Sequence, residues 1–323
     1  MILTTRPVTV TAAFALAAFV MAASACGGGS GTTDDATKPQ IVATTSIWAD
    51  ITAEVLCGTD VPALIPPGAD PHSFEPSLRD RELIDGALMV VANGGGLEAS
   101  LVDLLATAAA DGTNLVELTP FVDVIAHDEP DDDQDDDQDD ESDDESDDGH
   151  GHDVEVDPHI WQDPNRVIGA VEVIASAVRA LGLRDCAADY TTELLALDRE
   201  IDELLAPISA ERRQMVTSHD SLAYFADRYD MEIVGTVIPS TNTLAQTNAA
   251  DLAALADLID ARGVTAIFTE QLESTADADA LASRLGVTVV PLVTDALTDD
   301  PGSDTYLEMM LSNATSIAQA LSP

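Results

Sequence analysis

Short apolar runs alternate with amphipathic stretches in two parts of the chain, one before residue 120 and one after residue 213. In the first part the pattern predicts strands at residues 41–46, 61–65, 88–92 and 114–118. In the second part it predicts strands at residues 215–218, 233–238, 264–269 and 287–292. Segments with the apolar spacing of helices follow most of these strands. Because strands that alternate with helices at this pace form βα units, each part is predicted to contain a mostly parallel sheet.

Two longer amphipathic patterns lie between the two parts. Pro164 opens a predicted helix that runs to Leu181, and residues 187–205 form a second one that ends before Pro207. The predicted fold class is therefore α/β, with two lobes that each contain a mostly parallel sheet flanked by helices. We place the N-terminal lobe at residues 40–184, a linking helix at 185–207 and the C-terminal lobe at 208–323.

The N-terminus has the pattern of an exported lipoprotein. Residues 8–23 form an apolar run that is too short to span a bilayer and ends in small residues, so residues 1–25 are predicted to be a cleaved signal peptide. The small residues Ser24 and Ala25 before Cys26, with a glycine-rich stretch after it, resemble the lipobox of bacterial lipoproteins. The pattern predicts lipidation of Cys26 and a flexible tether at residues 26–39. The alternative is an ordinary signal peptide with an incidental cysteine.

Lipidation of Cys26 would leave Cys57 and Cys186 as the other two cysteines of the chain. In an oxidising compartment outside the membrane, an even number of cysteines favours a disulfide. The sequence therefore suggests a bond between Cys57 and Cys186, with two free thiols as the alternative.

Charge is distributed very unevenly in this acidic chain. The formal net charge is −47 at pH 7, and residues 127–153 are dominated by Asp and Glu and contain no Lys or Arg. Such a charge argues against nucleic acid as a partner and concentrates cations near the protein. Because residues 127–153 also lack apolar side chains, they are predicted to be a disordered loop. This loop is either a solvated spacer or a weak cation trap that uses His127, His150 and His152 with the carboxylates.

Two loops present a histidine that is framed by prolines. They are residues 70–76, with the sequence DPHSFEP, and residues 157–164, with the sequence DPHIWQDP. Because proline fixes its own backbone and restricts the residue before it, each loop is shaped before any ligand arrives, which suits metal capture. Like the first of these histidines, His219 and Asp295 follow predicted strands, at the carboxyl ends where open parallel sheets bind ligands. The pattern predicts a metal site in the cleft between the lobes, formed by His72, His159, His219 and Asp295.

The chemistry of this candidate set favours zinc. Three imidazoles and one carboxylate can fill a tetrahedral shell, whereas calcium and magnesium sites are built from oxygen. Manganese prefers more oxygen ligands than this set supplies. The separations of the four residues along the chain match no local zinc-finger or metalloprotease spacing.

Four separated motifs resemble the zinc- and manganese-binding solute-binding proteins of ABC uptake systems. The motifs are residues 68–77, residues 157–161, residues 217–220 with Tyr224 and Phe225, and residues 267–270. The resemblance covers nearly the whole mature chain and follows the order of the family. It implies two α/β lobes that are joined by one long helix and hold the metal between them.

The resemblance also implies roles for particular residues. His72, His159 and His219 correspond to metal-binding histidines, and Asp295 corresponds to the fourth ligand, with Glu270 as its alternative. A histidine at the third position, where manganese members tend to have glutamate, points to zinc. The loop that begins at His127 resembles the charged loop of zinc members, although Asp largely replaces His in it.

The function implied by the resemblance is capture of Zn2+ at the extracytoplasmic face of the cell membrane, without catalysis. The chain would be a monomer, anchored by lipid on Cys26, and would deliver the ion to an ABC permease with its ATPase subunit. Three alternatives remain open: a manganese receptor of the same family, a zinc-dependent hydrolase with Glu75 or Asp220 as its general base, and an adhesin or zinc buffer that works without a transporter.

Overall fold

Two parallel four-stranded sheets form the framework of the residues that this computed structural model describes, 41–126, 156–272 and 274–322. The first sheet contains β1 (Ile41–Thr45), β2 (Ala63–Ile65), β3 (Met89–Ala92) and β4 (Asn114–Glu117), in the order β2-β1-β3-β4. The second contains β5 (Gln214–Thr217), β6 (Glu232–Thr236), β7 (Ala266–Glu270) and β8 (Thr288–Leu292), in the order β6-β5-β7-β8. We call the parts built on these sheets the N-lobe and the C-lobe.

Helices follow the strands as the apolar spacing predicts. They are α1 (Ser46–Val55), α2 (Leu78–Asp85), α3 (Val102–Ala110), α4 (Pro164–Ala180), α5 (Ala187–Leu205), α6 (Ala223–Arg228), α7 (Ala249–Arg262), α8 (Ala276–Leu285) and α9 (Tyr306–Leu321). Short 3₁₀ segments lie at Ala99–Leu101, Thr119–Phe121, Ile160–Gln162 and Ala210–Arg212. None of the described helices has the length and apolar composition needed to cross a membrane.

The clearest difference from the sequence prediction lies before α3. Apolar spacing predicts one helix over residues 97–110, but α3 begins only at Val102, after a 3₁₀ segment. Gly94, Gly95 and Gly96 all have positive φ, so the chain is still turning there. The Glu98 carboxylate accepts hydrogen bonds from the backbone N–H groups of residues 93 and 94, which fixes this turn and delays the helix.

Capping residues in the sequence set where several helices begin. The Ser77 side chain accepts a hydrogen bond from the Asp80 backbone, and the Asp80 side chain accepts one from the Ser77 backbone, so α2 has a complete capping box. Asp163 caps α4 in front of Pro164, and Asn248 caps α7. Because α2 begins directly after residues 70–76, its cap also fixes the end of that loop.

Helix α5 connects the two lobes. It packs against α1 and α4 on the side of the N-lobe and against α9 on the side of the C-lobe. The largest apolar core is continuous through both lobes and includes Trp48, Val171, Leu194, Phe225 and Met310. The predicted fold class, two α/β lobes joined by a long helix, is therefore confirmed.

A disulfide joins Cys57, just after α1, to Cys186, just before α5. The pairing suggested by the cysteine count is thus present in the structure. The predicted signal peptide, Cys26, the tether at residues 26–39 and the acidic loop at residues 127–153 lie outside the described residues. These assignments and the domain boundaries at residues 184 and 207 stay predictions.

Candidate metal centre

Four side chains from both lobes meet between the carboxyl ends of the two sheets. One ligand atom from each of His72, His159, His219 and Asp295 can be chosen so that all lie within 4.8 Å of one another, and all four residues are buried. The first histidine lies in the loop between β2 and α2, and the second directly precedes the 3₁₀ segment before α4. His219 follows β5 and Asp295 follows β8. The structure thus brings together the four residues of the predicted ligand set.

The spacing of the ring nitrogens suits a small divalent cation. Nε2 of His159 lies 3.3 Å from Nε2 of His72 and 3.4 Å from Nε2 of His219. Two nitrogens bound to zinc at ~2.05 Å in a tetrahedron would be about 3.3 Å apart. An Asp295 oxygen lies 3.5 Å from Nε2 of His219, and its two oxygens lie 3.9 Å from the other two Nε2 atoms. The four groups therefore surround a space of the size that one ion needs.

Carboxylates outside the cluster fix the tautomers of two of the histidines. Nδ1 of His159 lies 2.7 Å from an Asp157 oxygen, and Nδ1 of His219 lies 3.0 Å from a Glu270 oxygen. A ring nitrogen that faces a carboxylate carries the proton, so the Nε2 atom of each ring presents its lone pair. Two lone pairs then face each other at 3.4 Å without a hydrogen bond between them, an arrangement that a cation would stabilise.

The environment of the Asp295 carboxylate also favours a bound cation. Both of its carboxylate oxygens are buried and accept no hydrogen bond within the described part of the chain. Burial and the neighbouring charge of Glu270 raise the pKa of Asp295 well above its usual range. A buried carboxylate without donors is costly unless a positive charge approaches it, so this group also fits a cation.

Electrostatics favour the neutral form of the first histidine. Burial, together with the nearby His159 and His219, lowers the pKa of His72 to about 3. Burial alone would raise the pKa of Glu270, but its interactions with His219, Thr294 and Ser221 together outweigh that effect and lower the pKa. His72 therefore offers a lone pair at neutral pH, while Glu270 stays charged behind His219.

Glu270 does not take the place of the fourth ligand. Its oxygen contacts Nδ1 of His219 and accepts a hydrogen bond from Ser221, on the side of the ring that faces away from the cluster. Asp295 instead lies among the three Nε2 atoms. Of the two carboxylates left open by the sequence, Asp295 is thus the one that faces the candidate ion. Glu75 and Asp220, the bases considered for a hydrolase, do not belong to the ligand cluster found among the described residues.

Side chains that sequence reasoning did not assign hold the loop of His159. The Asn93 amide donates to the backbone oxygen of Pro158 and accepts a hydrogen bond from Trp48 Nε1. The Tyr224 hydroxyl donates to the backbone oxygen of Asp157 at 2.6 Å. Tyr224 belongs to one of the motifs that resemble the family, but the resemblance alone did not indicate what it contacts.

The fold and the cluster together define a metal-binding receptor with two α/β lobes. The family model described as zinc-uptake complex component A, periplasmic (ZnuA), matches residues 41–320, and the chain belongs to this family. The predicted class of protein, a metal-binding receptor of an ABC uptake system, is therefore confirmed.

Relatives of the chain include proteins named for either metal. The chain is 26% identical to the manganese-binding lipoprotein MntA of Halalkalibacterium halodurans, over 96% of this chain and 97% of that protein. It is 27% identical to the zinc-binding protein TroA of Treponema pallidum, over 88% and 89% of the two chains. Because the names of these relatives include both metals, they do not decide between zinc and manganese for this chain.

Solved structures share the fold. The periplasmic zinc-binding protein TroA from Treponema pallidum superposes with a TM-score of 0.74 at 24% identity, covering 88% of this chain and 100% of that one. A manganese-bound periplasmic metal-binding protein from Candidatus Liberibacter asiaticus gives a TM-score of 0.67 at 20% identity, covering 87% and 98%. At these identities the similarity establishes the fold alone.

Proposed function

We propose that this protein is an extracytoplasmic receptor that captures Zn2+ and delivers it to an ABC permease with its ATPase subunit. The observation that carries the proposal is the 3.4 Å separation of the Nε2 atoms of His159 and His219, whose lone pairs face each other when both Nδ1 atoms carry the proton. Each Nδ1 atom is engaged by a carboxylate, and the buried Asp295 carboxylate accepts no hydrogen bond from the residues that the structure describes. A divalent cation bound between these groups would stabilise both the facing Nε2 lone pairs and the buried carboxylate.

The ligand set favours zinc over manganese. Three imidazole nitrogens and one carboxylate are borderline ligands that zinc binds in tetrahedral geometry, whereas manganese prefers a shell with more oxygen. The relative named as manganese-binding supports the second candidate, a manganese receptor of the same family. We place zinc first because the four ligands are residues of this chain, whereas the manganese name belongs to a relative.

Four protein ligands favour transport over catalysis. A catalytic zinc keeps one position open for water or substrate, while His72, His159, His219 and Asp295 would fill a tetrahedral shell completely. Release of the ion then requires that ligands from the two lobes separate. Docking on the permease would achieve this by favouring a form of the receptor with lower affinity for the ion. Lipid on Cys26 would hold the receptor, as a monomer, beside that permease.

Metal analysis and calorimetry test the proposal. We expect the purified protein to contain about one zinc per chain and, in competition, to prefer Zn2+ over Mn2+. The variants His159→Ala and His219→Ala should lose most of the zinc affinity, while Asp299→Asn, at an exposed residue four positions after Asp295, should bind as the wild type does. Unchanged zinc affinity in both histidine variants would overturn the assignment, and a preference for manganese would establish the second candidate.

A further inference from the structure

The loop that carries His72 is bonded to the opposite lobe at two points. The Gly68 backbone N–H donates to the Leu297 backbone oxygen at 2.8 Å. The Thr243 hydroxyl donates to Oδ2 of Asp70, also at 2.8 Å. Leu297 follows β8 and Thr243 follows β6, so both contacts join the N-lobe to the C-lobe beside the candidate metal centre.

Asp70 uses its two carboxylate oxygens for different partners. Oδ1 accepts a hydrogen bond from the backbone N–H of His72 at 2.9 Å. Oδ2 accepts one from the Ser73 hydroxyl at 2.9 Å and one from Thr243. Asp70 supplies no atom to the ligand cluster itself. Its carboxylate therefore connects the backbone of one ligand directly to a hydroxyl of the opposite lobe.

The loop of His159 has a similar arrangement that is much more deeply buried. Asp157 accepts a hydrogen bond from the backbone N–H of His159, and the Tyr224 hydroxyl of the C-lobe donates to the Asp157 backbone. Tyr224 belongs to the continuous apolar core, so this contact cannot break without disturbing that core. Thr243 is only partly buried and lies between β6 and α7, outside any helix or strand. The hydrogen bond between Thr243 and Asp70 can therefore break while the core stays intact, whereas the one between Tyr224 and Asp157 cannot.

We propose that Asp70 and Thr243 are positioning residues whose inter-lobe hydrogen bond holds His72 against the other ligands and slows release of the bound cation. This inference rests on the proposed function, because it concerns the same site. A hydrogen bond to a carboxylate is stronger than one between neutral groups, so its loss has a measurable effect. The bond exists only when both loops are in place, and it therefore acts on release rather than on the first encounter with the ion.

Stopped-flow release of zinc into excess chelator tests the inference. Thr243→Val keeps the shape of the side chain and removes its donor. We expect the release rate constant to rise about tenfold, which corresponds to about 1.4 kcal/mol. The association rate constant should stay within about twofold of the wild type. Thr243→Ser restores a hydroxyl and should bring release back toward the wild-type rate, which a purely steric effect at this position would not do.

Thr247→Val is the matched control. It is the same substitution four positions further along the same loop, and the Thr247 hydroxyl donates to Asp277 within the C-lobe at 3.3 Å. We expect release from this variant to match the wild type. Should Thr243→Val misfold, Thr243→Ala provides the same measurement.

Three results would overturn the inference: unchanged release from the Thr243 variants, equal acceleration in Thr247→Val, or no recovery in Thr243→Ser. Each of them leaves the proposed function standing, because the wild type still binds the ion. A wild-type chain that binds neither zinc nor manganese would instead overturn the proposed function, and the inference with it.

Discussion

At the scale of single residues, the protons on two imidazoles decide what the cluster can bind. Asp157 and Glu270 each face the Nδ1 atom of a histidine, so the Nε2 atoms are left as acceptors that point at one another. Such a set repels itself until a cation enters. The carboxylates behind the rings therefore contribute to binding although they supply no atom to the ligand cluster.

Glu270→Gln tests the role of the carboxylate behind His219. The substitution keeps the size of the side chain but removes the charge that fixes the proton on Nδ1. We expect zinc affinity to fall about tenfold to a hundredfold, as is typical when the partner of a ligating histidine is lost. Competition with a chelator of known affinity measures the change. Glu203→Gln, on the exposed face of α5, is the control, and equal affinity in both variants would refute the role.

At the scale of secondary structure elements, a partly buried acid connects α1 to the start of α9. Oδ2 of Asp50, in α1, accepts a hydrogen bond from the Tyr306 backbone N–H at 2.8 Å. Burial raises the pKa of Asp50 from 3.8 to about 6, the hydrogen bond from Tyr306 opposes this, and the charges of Glu54, Asp304 and Glu308 add to it. The folded protein therefore holds this proton more tightly than the unfolded chain does.

The raised pKa of Asp50 predicts how stability changes with pH. Between pH 4 and pH 6 the unfolded chain loses the Asp50 proton before the folded protein does, so this residue makes stability fall as pH rises through that window. Asp50→Asn keeps an acceptor for Tyr306 and has no proton to lose. Relative to the wild type, we expect the free energy of unfolding of the variant to rise by about 2 kcal/mol between pH 4 and pH 7.

Denaturant unfolding of the metal-free protein across this pH range measures the difference. Glu82→Gln, an exposed acid of α2, is the control and should follow the wild type at every pH. A constant difference between Asp50→Asn and the wild type would show that the carboxyl group does not titrate as its burial indicates.

At the scale of the whole molecule, the two lobes are tied together behind the site. Helix α5 packs on both lobes, the apolar core is continuous through them, and the disulfide fixes α1 to the start of α5. Large rotation of one lobe against the other would expose this core. Opening of the site is therefore expected in the loops around the cluster, such as the one that carries Thr243.

Solution scattering of the zinc-loaded and metal-free protein tests this expectation. We expect the radius of gyration to differ by less than about 1 Å, because pre-organised proteins with packed cores move little on binding. Hydrogen exchange should increase on metal removal in the loops at residues 66–76 and 237–248, while α5 stays protected. A change of several Å, as in hinge closure, would contradict the idea of rigid lobes.

The sequence by itself determined the elements and the candidate ligands. The helix predicted at residues 187–205 has those same limits in the structure, because the spacing of apolar side chains and the proline beyond it act locally. The proline-framed loops likewise singled out His72 and His159, since proline restricts the backbone beside it. Helix α3 begins late because bonds from Glu98 to the backbone at residues 93 and 94 compete with helical spacing.

Only the tertiary structure decided which side chains meet. The sequence left Asp295 and Glu270 as alternatives for one ligand, and packing placed the first among the Nε2 atoms and the second behind His219. Asp70 and Thr243 are 173 positions apart, and no local pattern marks them as partners. Backbone periodicity is a property of neighbouring residues, whereas contacts between distant loops depend on how whole lobes pack. The sequence could therefore nominate the ligands, but it could not show which residues position them or connect the two lobes.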